Sequence, residues 1–140
     1  MNHSDQLVVF TLGGQRYSLR LAVVERIVWA VEITRLPNAP KIVLGIVNVR
    51  GHIAPVVNVR KRFGLPERDI ELSDQLIIAR TTRRTVALLV DAVNDVVTRR
   101  DAQVVASEKI LPGLEHIEGV LKLSDGMIFV HDLDGFLSLD

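Results

Sequence analysis

The chain has 140 residues, 17 basic and 17 acidic, and a formal net charge of zero. Apolar residues make up 48% of it, aromatics only 4%, and it contains no cysteine. This excludes a disulfide framework and thiolate chemistry, argues against disorder, and lacks the basic excess of a dedicated nucleic-acid binder.

The aliphatic bias favours strands, because branched side chains suit a pleated, half-buried surface. Gln6 to Leu12 reads as a strand, Gly13-Gly14 as a hairpin turn, and Arg16 to Arg20 as the returning strand. Leu21 to Val24 is short enough for a single turn, and Glu25 to Val31 reads as another strand. Pro37 and Pro40 mark a loop, since each removes a backbone donor. A hairpin follows: strand Ile46 to Val49, a turn at Arg50-Gly51, and strand Ile53 to Val59, closing on a basic helical turn from Arg60 to Phe63. Alternation puts Val47 and Val49 on one face and Ile46, Asn48 and Arg50 on the other. Pro55 marks its strand as an edge or a bulge. The polar stretch Pro66 to Ser73 reads as a connection between two halves.

The second half repeats the first. A shift of 69 positions (Gln6 to Gln75) lays QLVVFTLGGQRYSLRLAVVERIV over QLIIARTTRRTVALLVDAVNDVV without a gap. A shift of 74 (Gly45 to Gly119) lays GIVNVRGHIAPVVNVRKRF over GVLKLSDGMIFVHDLDGFL. Each half offers about five short strands, which close best as a small barrel that removes exposed edges. The expectation is mainly β: two five-stranded barrels, roughly residues 6–65 and 74–137, interlocked as one domain across a pseudo-two-fold. Each alone is marginal in size, so a shared core is expected.

No catalytic site stands out. His3, His52, His116 and His131 have no metal-ligand spacing, and Asp125, Asp132 and Asp134 suit turns and caps better than a calcium loop. A small enzyme using these carboxylates remains the rival class. The glycines form no phosphate loop. Arg60-Lys61-Arg62, Arg83-Arg84 and Arg99-Arg100 read first as solvated turns, then as a basic patch for an acidic protein partner. Trp29 is either core filling or an interface anchor. The N-terminus lacks the pattern of a signal peptide, and no apolar run approaches the roughly 18 residues of a membrane span; a cytoplasmic protein is expected.

The central stretch, L-P-x-x-P followed by V-x-G-x-x-N-x-R-G-x-x-x-P-V-x-x-x-R-x-x-F-G-L, resembles the signature of CheW-like domains. The opening VFTLGGQRYSL and the run VALLVDAVNDVV resemble that family too, so the likeness extends from about Leu7 to Leu137. It implies two SH3-like barrels and a free-standing, non-catalytic adaptor without cofactor or metal. The implied partners are the regulatory domain of a CheA-type histidine kinase and the cytoplasmic tip of methyl-accepting chemoreceptors, with no nucleic acid and no membrane insertion. The implied place is the cytoplasm, at membrane-associated receptor arrays; an adaptor for pili, development or second-messenger control is the alternative. Position by position, the implied docking residues are Arg50, Asn48, Gly51, Gly45, Val24 and Glu25. One departure is plain. Many members carry Glu just before the aliphatic at Ile27, whereas Arg26 stands here after Glu25, which leaves the acidic partner of Arg50 open.

Overall fold

The computed structural model describes residues 6–98, 103–106, 117–123 and 126–131. Among the described residues twelve strands run in chain order: β1 (Gln6–Leu12), β2 (Gln15–Arg20), β3 (Val24–Trp29), β4 (Thr34–Arg35), β5 (Val43–Val49), β6 (His52–Val57), β7 (Gln75–Arg80), β8 (Thr85–Val90), β9 (Ala92–Thr98), β10 (Gln103–Ala106), β11 (Ile117–Leu123) and β12 (Gly126–His131). One turn of helix, α1 (Val59–Arg62), follows β6, and 3-10 turns at Leu21–Val23 and Ala30–Glu32 flank β3.

The strands form two sheets, ordered β10-β11-β12-β2-β1-β9 and β4-β5-β6-β8-β7-β3. The duplication is visible in this order. Replacing β1, β2 and β3 by β7, β8 and β9, and β4, β5 and β6 by β10, β11 and β12, turns one sheet into the other. Even the irregularities repeat: the register shifts between Val43 and Gly45 in one sheet and between Ile117 and Gly119 in the other, pairs of positions that are 74 apart.

The mainly β reading therefore holds, with three differences. Each sheet has six strands, because the short β4 and β10 add to the five expected. The compact units are not the sequence halves 6–65 and 74–137. One unit gathers the chain up to Val24 and again from Val93; the other is the continuous segment Glu25–Ala92. The halves trade strands: β1 and β2 join β10–β12, while β7 and β8 join β4–β6. Parallel ladders make the exchange, pairing β6 with β8 at Val56–Ala87 and Val57–Leu88, and β12 with β2 at Phe129–Tyr17 and Val130–Ser18. Ser18 is buried and donates its hydroxyl to the Phe129 carbonyl at 3.1 Å, so its polar group is satisfied there.

The third difference concerns Pro55, where the edge alternative fails, while the register shift between Val43 and Gly45 lies opposite the next residues, Val56 and Val57. Its strand β6 is internal, paired to β5 as well as β8. Proline is accommodated because the ladder to β8 begins only at Val56, one residue after the missing donor.

Each unit has its own apolar cluster. Val47, Ala54, Val56, Leu76, Ile78 and Ala87 form one, with Val28, Ile33, Leu44, Val49 and Leu89 packed against it. Leu7, Val9, Leu121, Ile128 and Val130 form the other, with Val97 against it. The expected alternation on β5 is present: Val47 is buried and Val49 packs inward, while Asn48 is exposed.

Gly45 is fixed by this packing. It pairs with Arg35 across the β4–β5 ladder. A Cβ there would collide with the Thr34 carbonyl oxygen and press on Arg35 Cα and Ile33 Cγ2, both at 3.1 Å. Gly45→Ala is expected to destabilise the protein by about 1–3 kcal/mol, the usual scale of overpacking, read as a lower urea midpoint at unchanged slope.

Candidate partner-docking face

The tip joining β5 to β6 is a two-residue loop, with Val49 paired to His52. Arg50 and Gly51 both have positive φ, +52° and +87°, the pattern of a type I′ turn that matches strand twist. Glycine takes this conformation freely. Arg50 does not: a non-glycine residue in the left-handed region costs about 1–2 kcal/mol. Asn48 offsets part of that cost, its side-chain oxygen accepting the Gly51 N–H at 2.9 Å. The N-x-R-G motif is thus a turn device carrying an exposed arginine. No described residue makes an ion pair or side-chain hydrogen bond with Arg50.

The remaining implied residues fall in different places. Val24 opens β3 half-buried, where the chain passes between the units. Glu25 is exposed, and its nearest cation is Arg80 on the neighbouring β7, Oε1 to Nη1 at 4.0 Å; it does not pair with Arg50. Gly45 is buried and has the packing role described above, so a contact with a partner is not what requires glycine there.

Strand β3 lies at the end of its sheet and alternates along its length. Glu25, Ile27 and Trp29 are exposed, while Arg26 and Val28 turn inward. Trp29 is 57% exposed, which overturns core filling for it. Ile53, beside Asn48 in the hairpin register, is 60% exposed. The other unit exposes the repeat equivalents of Ile27 and Ile53, namely Val96 and Met127. The sequence reading missed Ile27, Ile53, Val96 and Met127. The signal that finds them is an apolar residue recurring at the same repeat position, Ile27 with Val96 and Ile53 with Met127.

The second signature arginine, Arg60, has a different role. Its Nη2 donates to both carboxylate oxygens of Asp91, at 2.9 and 2.8 Å, and its Nη1 to the Pro66 carbonyl at 3.1 Å. Arg68 donates to Asp91 at 2.7 Å and forms a two-point contact with Asp74, at 3.0 and 2.7 Å. Asp74 is buried and also accepts the Glu71 N–H at 2.9 Å. The hydrogen bond to Asp74 pushes the Arg68 guanidinium further above its already high range, against the opposing effect of burial and with added help from Asp91. These four side chains line a cavity of about 20 Å³ with Leu44, Asn58 and Leu89, room for one water. They pin the connection 66–73 to α1 and to the end of β8. Lys61 and Arg62 are the exposed and half-exposed flanks of this clamp, so the basic run at 60–62 is not one uniform solvated turn.

Among the described residues no group of three His, Cys, Asp or Glu side chains lies close enough to hold a metal, and no helix is long and apolar enough to cross a membrane. His3, His116, Asp125, Asp132, Asp134, Ser124 and the Arg99-Arg100 doublet lie outside the described residues.

Two duplicated sheets that present side chains at edges and hairpin tips are the build of a protein-docking module. The chain matches the CheW-like domain over residues 6–140 and belongs to that family. It is 30% identical to the probable chemotaxis protein CheW of Rhizobium etli, over 99% of this chain and 91% of that protein. It is 32% identical to the chemotaxis protein CheW of Rhizobium meliloti, over 95% and 87%. Among solved structures it is similar to the scaffolding protein TtCheW of Thermoanaerobacter tengcongensis, with a TM-score of 0.82 at 29% identity, over 98% of this chain and 94% of that one.

Because the clamp is largely buried and fully paired, removing one member strands the others. Asp91→Asn is expected to cost about 2 kcal/mol or more in stability, seen in denaturant melts, whereas Lys61→Ala, whose contact to Glu67 is a long exposed one at 3.8 Å, should cost under about 1 kcal/mol.

Proposed function

We propose that this protein is a non-catalytic chemotaxis adaptor that joins a CheA-type histidine kinase, through its regulatory domain, to the cytoplasmic tip of chemoreceptors. The relatives supply the pathway: those compared are named as chemotaxis proteins and one as a scaffolding protein. Such an adaptor works in the cytoplasm beside receptor arrays, needs no cofactor, and acts by holding partners together.

The observation that carries the reading is Arg50. An exposed arginine stands in a left-handed conformation that glycine or asparagine would occupy at less cost. Nothing described in the fold uses its charge. Strain kept at an exposed side chain with no internal partner points outward, to a docking contact. Arginine is also among the residue types enriched at interface hot spots. Around it, exposed Ile53 and Asn48 supply apolar and polar neighbours from the same hairpin. The edge strand β3, with Ile27 and Trp29, offers further apolar area that a partner would cover.

The test separates stability from binding. Arg50→Asn keeps a left-handed-compatible residue, so its thermal midpoint should stay equal or rise, by at most about 1 kcal/mol of relieved strain. Its affinity for the cognate kinase regulatory domain should fall by about 2 kcal/mol or more, measured by titration calorimetry. Unchanged affinity with unchanged stability removes Arg50 from the interface. Failure of the unaltered protein to bind either kinase or receptor fragments removes the adaptor reading itself.

A further inference from the structure

The β7–β8 hairpin carries Arg80, Arg83 and Arg84, and the proposed docking role leaves them unused. Their position follows from the ladders. Strand β6 runs parallel to β8, with Val56 beside Ala87. Counting back from that pair along each chain leads to the turn before β6 and the turn before β8. Because β6 and β8 run parallel in one sheet, the Arg50–Gly51 tip and the 81–84 tip lie at the same end of that sheet. Arg50, Arg80, Arg83 and Arg84 are all exposed there. Arg80 has Glu25 as an acidic neighbour, at 4.0 Å, and is itself 74% exposed.

The loop is held in shape. Thr81 Oγ1 accepts the backbone N–H groups of Arg83 at 3.1 Å and Arg84 at 3.0 Å, and donates to the Arg84 carbonyl at 2.9 Å. Thr81 N–H also donates to that carbonyl, at 2.9 Å. A fixed loop loses little conformational freedom on binding. The equivalent positions of the β1–β2 hairpin in the other unit are not arginines. The repeat places Thr11, Gly14 and Gln15 where Arg80, Arg83 and Arg84 stand, and the Glu25–Arg80 pair has a neutral counterpart in the 2.5 Å hydrogen bond from Thr11 to Asn94. In a chain of zero net charge, this end of one unit is a local concentration of positive charge.

We infer that this arginine rim docks a carboxylate-rich segment of a protein partner. Guanidinium forks match carboxylates in two-point contacts, and a basic cluster steers an acidic partner toward it. Neither tip contains Phe, Tyr or Trp, so the rim offers no stacking platform of the kind single-stranded nucleic acid uses. The inference deepens the adaptor reading and rests on it only in taking Arg50 to face a partner.

The test uses the whole chain and a fluorescein-labelled glutamate-rich peptide, read by fluorescence anisotropy at low and physiological salt. Arg83→Glu combined with Arg84→Glu should weaken peptide binding about tenfold or more. Arg35→Glu combined with Lys41→Glu makes the same change in net charge at the opposite end of the sheet, where both residues are exposed. It should leave affinity within about twofold, since exposed charges beyond the screening length couple weakly. Equal losses in the two pairs reduce the effect to net charge and overturn the rim. Absence of peptide binding at low salt, or tighter binding to single-stranded DNA or anionic vesicles than to the peptide, overturns the carboxylate assignment. Because the probe is synthetic, none of these failures touches the kinase titration that tests the adaptor reading.

Discussion

Two short parallel ladders decide this architecture. Val56–Ala87 with Val57–Leu88, and Phe129–Tyr17 with Val130–Ser18, are the pairs through which each sheet joins two strands of one half to strands of the other. A parallel pair cannot be closed by a tight turn and needs a long connection. Here part of the chain itself is the connection: from β6 through α1 and the 66–73 segment, up β7 and back down β8. That gives a physical role to the charged cluster beside β8. The Arg60–Asp91–Arg68–Asp74 clamp ties the connection to the end of β8, the strand that makes the parallel contact. A segment of mostly polar residues with little apolar surface to bury would otherwise hold that strand only loosely.

Most local structure was legible in the sequence because each strand carries its own signals. Alternation, paired glycines and prolines located the elements to within a few residues, and the two ungapped shifts gave the duplication. Partner choice was not legible. The strands β6, β8 and β12 are all short and mostly apolar, β2 is as short and more polar, and each offers the same kind of backbone ladder to any other. What selects the exchanged arrangement is which edges remain to be covered after the hairpins form, a property of the assembled sheet. Pro55 shows the same limit. Proline excludes a donor at one position, but whether that empties an edge or falls just short of a ladder depends on the neighbour.

The signature arginines make the point at the level of the site. Arg50 and Arg60 stand ten positions apart in one motif and look equivalent in the sequence. In the structure one is exposed and strained, and the other is clamped between Asp91 and the Pro66 carbonyl. Gly45 and Gly51 divide likewise. The first is excluded from any larger side chain by the Thr34 carbonyl; the second has open space around it and needs glycine for its φ of +87°. A motif therefore mixes residues kept for the fold with residues kept for the surface, and backbone geometry and burial are what tell them apart.

The duplication sharpens that division, because each unit is an internal control for the other. Exposed apolar residues recur at equivalent positions, Ile27 with Val96 and Ile53 with Met127. The polar residues around them do not: the repeat has Asn94 in place of Glu25, Lys122 in place of Asn48, and Thr11 in place of Arg80. Features the barrel itself requires should survive in both copies, as the paired bulges at Val43–Gly45 and Ile117–Gly119 do. The recurrent apolar positions keep 39–60% of their surface exposed, area that internal packing leaves uncovered in both units. On the adaptor reading proposed above, the divergent charges distinguish the two exposed apolar areas from each other, since apolar area contributes affinity while charge pattern discriminates. The adaptor proposed above, which holds two partners, would be served by such a pair of faces, alike in build and unlike in charge.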